Sequence, residues 1–160
     1  MESVQSPRHL VAVFESPVGE ALVRLGIEVG FRCTLVEPDS TRSQGLPRPH
    51  GDAFVGDLSA AEVTEHTDIV LTEHHRPEIG VVLKEALATN ARWIGIVGNP
   101  NREGPHLAAL RELGVPDEEI ARVHRPIGLN IGSRTPAEIA VATLAGLIAD
   151  RNGRPGGFAF

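Results

Sequence analysis

The sequence predicts a Rossmann-like α/β fold, a three-layer α/β/α domain with a mainly parallel sheet. Runs of β-branched and other apolar residues alternate with segments whose apolar residues recur at helical spacing. The strand-type runs are continuous, which is typical of strands buried on both faces. With 160 residues, 41% of them hydrophobic, the chain has the size and composition of one domain. We expect that domain at residues 1–150 and a flexible tail at residues 151–160, which hold three glycines and a proline.

The first predicted unit is a strand, a helix and a second strand. His9–Phe14 and Phe31–Val36 are the apolar runs, and the residues between them carry one apolar stripe at helical spacing. Ser16 is suited to cap the N-terminus of the helix, and Gly30 is suited to end it. Glu37 then lies just beyond the end of the second strand.

Further strands and helices follow along the chain. They are an edge strand at Ala53–Gly56, a strand at Asp68–Thr72, a helix from Pro77 or Glu78, a strand at Trp93–Val97, a helix at Pro105–Leu113, a short helix at Asp117–Arg122 and a last helix to about Asp150. The spacing of Thr135 and Glu138 is that of a capping box and opens the last helix. Glu37–Asp52 has three prolines and two glycines, which favours a mobile surface loop.

Composition and charge exclude several classes of protein. The formal net charge of −6 is the wrong sign for a nucleic-acid or anionic-membrane partner. Cys33 is the single cysteine, so neither an intrachain disulfide nor a thiolate metal cage can form. Its place in a predicted buried strand favours an inert core thiol. No apolar run approaches the about 18 residues that a membrane span needs, and we expect a cytoplasmic protein.

The turn after the first strand is where a Rossmann fold would hold a pyrophosphate. Such turns need glycines because Cβ atoms obstruct the approach of phosphate to the backbone. Here only the third glycine position is filled, by Gly19, while Phe14 and Ser16 occupy the first two and Glu15 adds a negative charge. Gly19 is better explained by close packing of helix on strand. Ser16 and the helix end could still bind an anion, but tight binding of NAD(P) is not expected.

Glu37 and the histidines offer alternatives. Glu37 stands about where an acidic residue would hold the ribose of NAD, but it is equally well explained as an exposed charge at a strand end. His74 and His75 end a strand on the ligand side. Neighbours in an extended segment point to opposite faces, so a metal site would need His50, His66 or His106 to join one of them from elsewhere. We predict no metal site, and expect polar groups at the sheet rim or one ligand contact.

The glycine-rich loop that leads into the last helix is the most distinctive feature. Gly128 and Gly132 allow close approach to a ligand, and Thr135 with the following helix N-terminus offers N–H donors. Arg125 and Arg134 supply positive charge suited to a phosphate or carboxylate. The alternative is a loop whose glycines and capping box only shape the chain.

Two stretches, Trp93–Gly98 and Arg122–Ile139, resemble the C-terminal Rossmann domain of the XdhC/CoxI family, and the likeness extends over about residues 9–150. The resemblance implies an accessory protein that binds molybdenum cofactor and helps its sulfuration and insertion into xanthine dehydrogenase-type or carbon monoxide dehydrogenase-type enzymes. It implies a molybdenum hydroxylase apo-enzyme as partner, with a sulfurtransferase as a further candidate. A homodimer is a further expectation, drawn from isolated Rossmann domains.

This chain departs from the family pattern at three places. Family members usually carry Gly-Ala-Gly-His-Val-Gly where this chain has Phe14–Gly19. A Ser-Arg-rich stretch often follows the glycine equivalent to Gly98, but here only Arg102 supplies an arginine. Many members also have an N-terminal domain with a cysteine suggested to handle the cofactor's sulfur, which this sequence lacks.

The resemblance and the residue patterns together give the candidate cofactor-binding residues, with binding rather than bond-breaking roles. They are Gly98, Asn99, Arg102, Gly128, Asn130, Gly132, Ser133 and Thr135, then His75 and Arg134, and at the first crossover Ser16, Gly19 and Glu37. An NAD(P)-dependent oxidoreductase is the rival hypothesis. A family member that acts only through protein contacts is the third.

Overall fold

The computed structural model describes residues 8–42 and 53–160. Its elements, in chain order, are β1 His9–Val13, α1 Pro17–Glu28, β2 Arg32–Val36, β3 Ala53–Val55, a 3₁₀ helix Leu58–Ala61, β4 Thr67–Leu71, α2 Ile79–Leu87, β5 Trp93–Ile96, α3 Pro105–Glu112, α4 Asp117–Ile120 and α5 Pro136–Arg151. The predicted strands and helices are thus present, with bounds shifted by one to a few residues. Most of the loop predicted at Glu37–Asp52 lies outside the described residues.

The five strands form one sheet in the order β3-β2-β1-β4-β5, and every pairing is parallel. Val13 at the end of β1 pairs with Val36 of β2 on one side and Leu71 of β4 on the other. The strand order therefore reverses between β1 and β4, which is the point where ligands bind in open α/β sheets. This confirms the predicted Rossmann-like fold.

Helices cover both faces of the sheet because β1 is apolar on both. Leu10 and Ala12 pack in a cluster with residues of α1 and α5. Val11 and Val13 pack in a second cluster with residues of α2, α3 and α4. Alternate residues of a strand face opposite ways, so these two clusters are the two layer interfaces of the predicted sandwich.

Small residues bring α1 close to the sheet. A Cβ added at Gly26 would lie 3.0 Å from both Cys33 Sγ and a methyl group of Leu10. Cys33 is fully buried there, as its place in a strand predicted. No helix among the described residues combines the length and apolar character needed to cross a membrane.

A buried carboxylate at the amino end of β4 ties two distant segments to the sheet. Asp68 is fully buried and accepts hydrogen bonds from Arg92 Nε at 2.7 Å and Arg151 Nε at 2.9 Å. Arg151 also donates to the His66 carbonyl at 2.6 Å. The prediction that Arg151 belongs to the tail is wrong, because α5 runs through this residue.

Replacing Asp68 should destabilise the fold. Asp68→Asn takes the buried carboxylate away from both arginines, so that Arg92 keeps only the half-exposed Asp150 as a partner, and we expect a loss of about 2 to 4 kcal/mol in the free energy of unfolding measured by urea denaturation. This expected loss of stability is smaller than that for fully buried ion pairs because the side chains of Arg92 and Arg151 are 23% and 13% exposed. Asp117→Asn is the matched control, since Asp117 is mostly exposed. Equal losses in the two variants would contradict this role of Asp68.

Candidate functional site

The turn after β1 has a left-handed backbone conformation at Phe14, the first of the two glycine positions that this chain fills with other residues. Phe14 has φ +80°, a conformation that glycine adopts freely and other residues rarely. Its side chain is fully buried among apolar residues of the sheet and of α2 and α3. The first glycine position therefore retains the bend but carries an aromatic ring.

Ser16 and Gly19 serve the packing of α1. Ser16 Oγ accepts the Gly19 N–H at 2.9 Å, so Ser16 is the N-cap that the sequence predicted, and it also bonds Thr72 Oγ1 at 2.8 Å. A Cβ at Gly19 would lie 2.7 Å from the Phe14 carbonyl oxygen. Close packing of helix on strand thus accounts for Gly19.

Glu37 is buried, so its interpretation as an exposed charge is wrong. Its carboxylate receives a bidentate pair of hydrogen bonds from Arg76, at 2.9 and 2.7 Å. The backbone N–H groups of Glu15 and Asp39 donate to the same carboxylate at 3.1 and 2.8 Å. A ribose hydroxyl could reach Glu37 only by displacing Arg76.

Arg76 links Glu37 to the altered turn. Its guanidinium carbon lies 4.4 Å from the centroid of the Phe14 ring, a cation–π contact. Burial opposes ionisation of Glu37, but the hydrogen bonds from Arg76 and the two backbone amides outweigh it and lower the pKa of this carboxyl. Burial raises the pKa of Glu15, and the neighbouring charges of Glu37 and Glu20 raise it further. The first crossover is therefore filled by the chain's own charged side chains.

An open cavity of about 740 Å³ lies beside this turn, at the carboxyl ends of β4 and β5. Three segments line it: the residues 72–75 after β4, the residues 97–100 after β5, and the loop 126–133 before α5. Val18 of α1 and two residues of α5, Ile139 and Ala142, complete the wall. Seven of the candidate residues from the sequence line this cavity: His75, Gly98, Asn99, Gly128, Asn130, Gly132 and Ser133.

The loop 126–133 reaches the cavity because it packs tightly on α5. Gly128 has φ +83°, and a Cβ there would lie 2.8 Å from the backbone of Ala142. The Leu129 N–H donates to the Ala142 carbonyl at 3.0 Å. Within the part of the chain that the structure describes, the N–H groups of residues 130–133 have no protein acceptor. The residues that carry these unpaired amides line the cavity.

Comparison with known proteins places the chain in a family. A family model described as the XdhC Rossmann domain matches residues 10–147. The chain belongs to this family. Its likeness to a crystal structure of a xanthine dehydrogenase from Bacillus halodurans has a TM-score of 0.73 at 23% identity, covers 96% of this chain and 45% of that chain, and shows a shared fold.

Two curated relatives are similar in sequence to this XdhC Rossmann domain. The uncharacterized protein YqeB of Escherichia coli K12 is 31% identical over 110 residues, which are 68% of this chain and 20% of that protein. A probable xanthine dehydrogenase subunit of Bacillus subtilis 168 is 22% identical over 156 residues, which are 94% of this chain and 45% of that protein. This chain therefore spans less than half the length of the curated relatives it matches.

Three further candidate residues of this XdhC domain, in the loops around the cavity, lie outside its lining. Thr135 caps α5, since its Oγ1 accepts the Glu138 N–H at 3.1 Å. Glu138 Oε1 accepts the N–H of Arg134 at 2.9 Å rather than that of Thr135, so the predicted N-cap is confirmed but the return bond of the capping box is made one residue earlier. Arg102 belongs to the loop after β5, and its carbonyl accepts a hydrogen bond from Arg125 Nη1 at 2.8 Å.

His74 and His75 both line the cavity, which corrects the expectation that they point apart. Their ring centroids are 4.0 Å apart, because the chain bends after β4 instead of continuing as a strand. Burial lowers the pKa of His74, and the charges of His75 and Arg125 lower it further. No three His, Cys, Asp or Glu side chains within residues 8–42 and 53–160 are placed to hold a metal ion, and His50 lies outside those ranges.

Sequence reasoning missed Arg76 and the apolar wall of the cavity. Arg76 and Glu37 are 39 residues apart in the chain, and no local sequence pattern predicts that they pair. The apolar side chains that line the wall include Val18, Ile127, Leu129, Ile131 and Ile139. Their neighbours Gly128 and Gly132 were the available signal, because glycines that bend a loop also decide which way the residues between them point.

Acid should remove the stability that Glu37 contributes. Folding lowers the pKa of the Glu37 carboxyl. Such a carboxyl contributes its full stabilisation of the fold at pH values above its pKa in the unfolded chain, about 4.3, and this contribution is lost as the pH falls through its pKa in the folded protein. We expect Glu37→Gln to be less stable than wild type by about 2 kcal/mol near pH 7, because the buried Arg76 loses its bidentate partner and keeps only its contacts with Glu78 at 3.1 Å and Glu73 at 3.6 Å. Urea denaturation should show this difference shrinking below about pH 4.

The control for this prediction is Glu118→Gln, on the exposed first turn of α4. It should match wild type at every pH within a few tenths of a kcal/mol, as surface substitutions usually do. A difference between wild type and Glu37→Gln that stays constant from pH 7 to pH 3 would show that the Glu37 charge contributes nothing.

Proposed function

We propose that this XdhC Rossmann domain binds molybdenum cofactor in the 740 Å³ cavity and serves as an accessory protein in the maturation of a molybdenum hydroxylase. The client enzyme is of the xanthine dehydrogenase or carbon monoxide dehydrogenase type, and its apo-enzyme is the partner. The observation that carries the proposal is an open cavity at the ligand-binding edge of the sheet in a member of this family. The name of the Bacillus subtilis relative supports the link to xanthine dehydrogenase.

The cavity fits a flat heterocycle that carries a phosphate. Its volume lies within the about 300–1,000 Å³ typical of small-molecule sites. Apolar side chains such as Val18 and Ile139 can cover the faces of a pterin, while His75, Asn99 and Ser133 can bond its polar edge. The unpaired N–H groups of residues 130–133 suit the phosphate, since successive backbone amides favour anions.

The residues of the cavity support holding a cofactor more than transforming it. Its titratable side chains are Glu73, His74 and His75. Burial and the charges of His75 and Arg125 lower the pKa of His74, which favours its neutral form. In the proposed role these groups orient the cofactor and screen it from water until the apo-enzyme receives it. A sulfurtransferase that delivers sulfur to the bound cofactor is a further candidate partner.

The open cavity also weighs against the other two hypotheses. A protein that acts only through contacts with other proteins needs no cavity of this size, and Phe14 lies buried beside it rather than in it. An NAD(P)-dependent oxidoreductase would need Glu37 for the ribose, and Arg76 already occupies that carboxylate. The cavity near β4 and β5 is therefore the better site for a ligand.

Loss of an imidazole from the cavity should weaken cofactor binding. In a titration of the purified chain with molybdenum cofactor, followed by fluorescence, we expect His75→Ala to bind about tenfold less tightly than wild type. The matched control is His66→Ala, because His66 lies outside the cavity lining at the start of β4. Equal affinities of the two variants would reject His75 as a contact, and the absence of saturable binding to wild type would reject the proposal.

Nicotinamide cofactors should not bind at the first crossover. We expect calorimetric titration of the wild-type chain with NADH to give no saturable heat, since Arg76 and Phe14 fill the space beside Glu37. A saturable signal that disappears in Glu37→Gln would revive the oxidoreductase hypothesis.

A further inference from the structure

A second, smaller pocket of about 390 Å³ lies between α3 and α4. Gly104, His106 and Arg111 line it from α3, Asp117 and Ile120 line it from α4, and Arg125 lies in the segment after α4. It shares no lining residue with the cofactor cavity among the described residues. Arg111 and Arg125 carry positive charge, His106 offers ring nitrogens, and none of the three is proposed above to contact the cofactor.

Two buried nitrogens of this pocket have no partner. His106 is 5% exposed, and its Nδ1 has no hydrogen-bond partner among the described residues. Arg125 Nε is buried and unpartnered in the same way. Unpaired buried polar atoms are rare in folded proteins and call for an explanation. A ligand that engages these two side chains would provide one.

Two glycines fix these side chains in place. A Cβ at Gly98 would overlap the guanidinium of Arg125, and a Cβ at Gly104 would overlap the ring of His106. Arg125 Nη1 also donates to the Arg102 carbonyl at 2.8 Å. The loop 98–104 therefore packs directly against both side chains.

The N-terminus of α3 adds a further donor. Gly104 at the N-cap offers no side chain to the helix end, and Pro105 has no N–H. The Leu107 N–H bonds the Gly104 carbonyl at 3.2 Å, which leaves the His106 N–H as the donor at this end, and the helix dipole makes the end positive. Arg111 pairs with Asp117 at 3.1 Å, but both side chains are more than half exposed, so this pair is weak and Arg111 can serve another anion.

We propose that the pocket between α3 and α4 binds the phosphate group of a small phosphate monoester. Arg125 and Arg111 supply the charge, and the ring of His106 and the open helix end supply hydrogen bonds. A dianion suits two guanidinium groups and a helix N-terminus better than a single carboxylate does. The pocket has about half the volume of the cofactor cavity, which suits a small metabolite rather than a dinucleotide. The carboxylate of Asp117 also lines the pocket and repels anions, so ligands that carry further negative groups are disfavoured.

Titration of the full chain with inorganic phosphate tests this site. We expect saturable calorimetric binding of one phosphate per chain, and NMR signals of the His106 ring that move with the same saturation curve. Arg111→Gln and Arg125→Gln should each weaken binding about tenfold. Arg24→Gln, which removes the same charge from the exposed face of α1, should bind like wild type.

Three outcomes would overturn the proposal. They are the absence of saturable phosphate binding, equal affinity in wild type and Arg111→Gln, and movement of the His74 or His75 signals instead of those of His106. Arg111 is exposed, so its variant decides the matter even if Arg125→Gln fails to fold. Titration with malonate separates the two anion classes, and malonate binding as tight as phosphate would reject the assignment to phosphate. Failure here leaves the cofactor cavity untouched, because that titration follows a different ligand in a different place.

Discussion

The buried pair of Glu37 and Arg76 determines where this XdhC domain can hold a ligand. It stands at the carboxyl end of β2, beside the point where the strand order reverses, and Arg76 covers the ring of Phe14. A charge pair without solvent is tolerated only when its hydrogen bonds are complete, and here the guanidinium fork and two backbone amides complete them. The space used by a dinucleotide in other Rossmann folds is thereby filled, and the open volume lies toward β4 and β5.

Glycines in the loops after β5 and before α5 determine how closely these loops pack against the rest of the domain. Gly128 lets one loop approach α5 until backbone touches backbone, and the residues that follow it line the cavity. Gly98 and Gly104 let the other loop close over Arg125 and His106. Gly98 lines the cavity of about 740 Å³ and Gly104 lines the smaller pocket between α3 and α4, so the loop 98–104 contributes to both.

Much of the fold could be predicted because the relevant information is local. The apolar run of β1 is buried on both faces, and the caps at Ser16 and Thr135 are encoded within three residues. The site was less accessible to sequence reasoning because it depends on pairs far apart in the chain. Glu37 was recognised as notable, but its partner Arg76 was not, since nothing in a single sequence links a strand end to an arginine in a later loop. The prediction that His74 and His75 point to opposite faces was wrong because it assumed that the chain stays extended after β4, whereas the strand ends at Leu71.

Phe14 shows how firmly the turn after β1 is held in its present form. Its backbone still follows the left-handed bend that a glycine would take, so the route of the chain persists without the residue that usually requires it. Putting glycine back at this one position would ease the bend and yet leave the guanidinium of Arg76 seated on Glu37. A nucleotide site at this turn would require the removal of both the Phe14 ring and the Arg76 side chain. The buried Glu37 would then have no positively charged partner. The turn is consequently locked by three side chains that support one another.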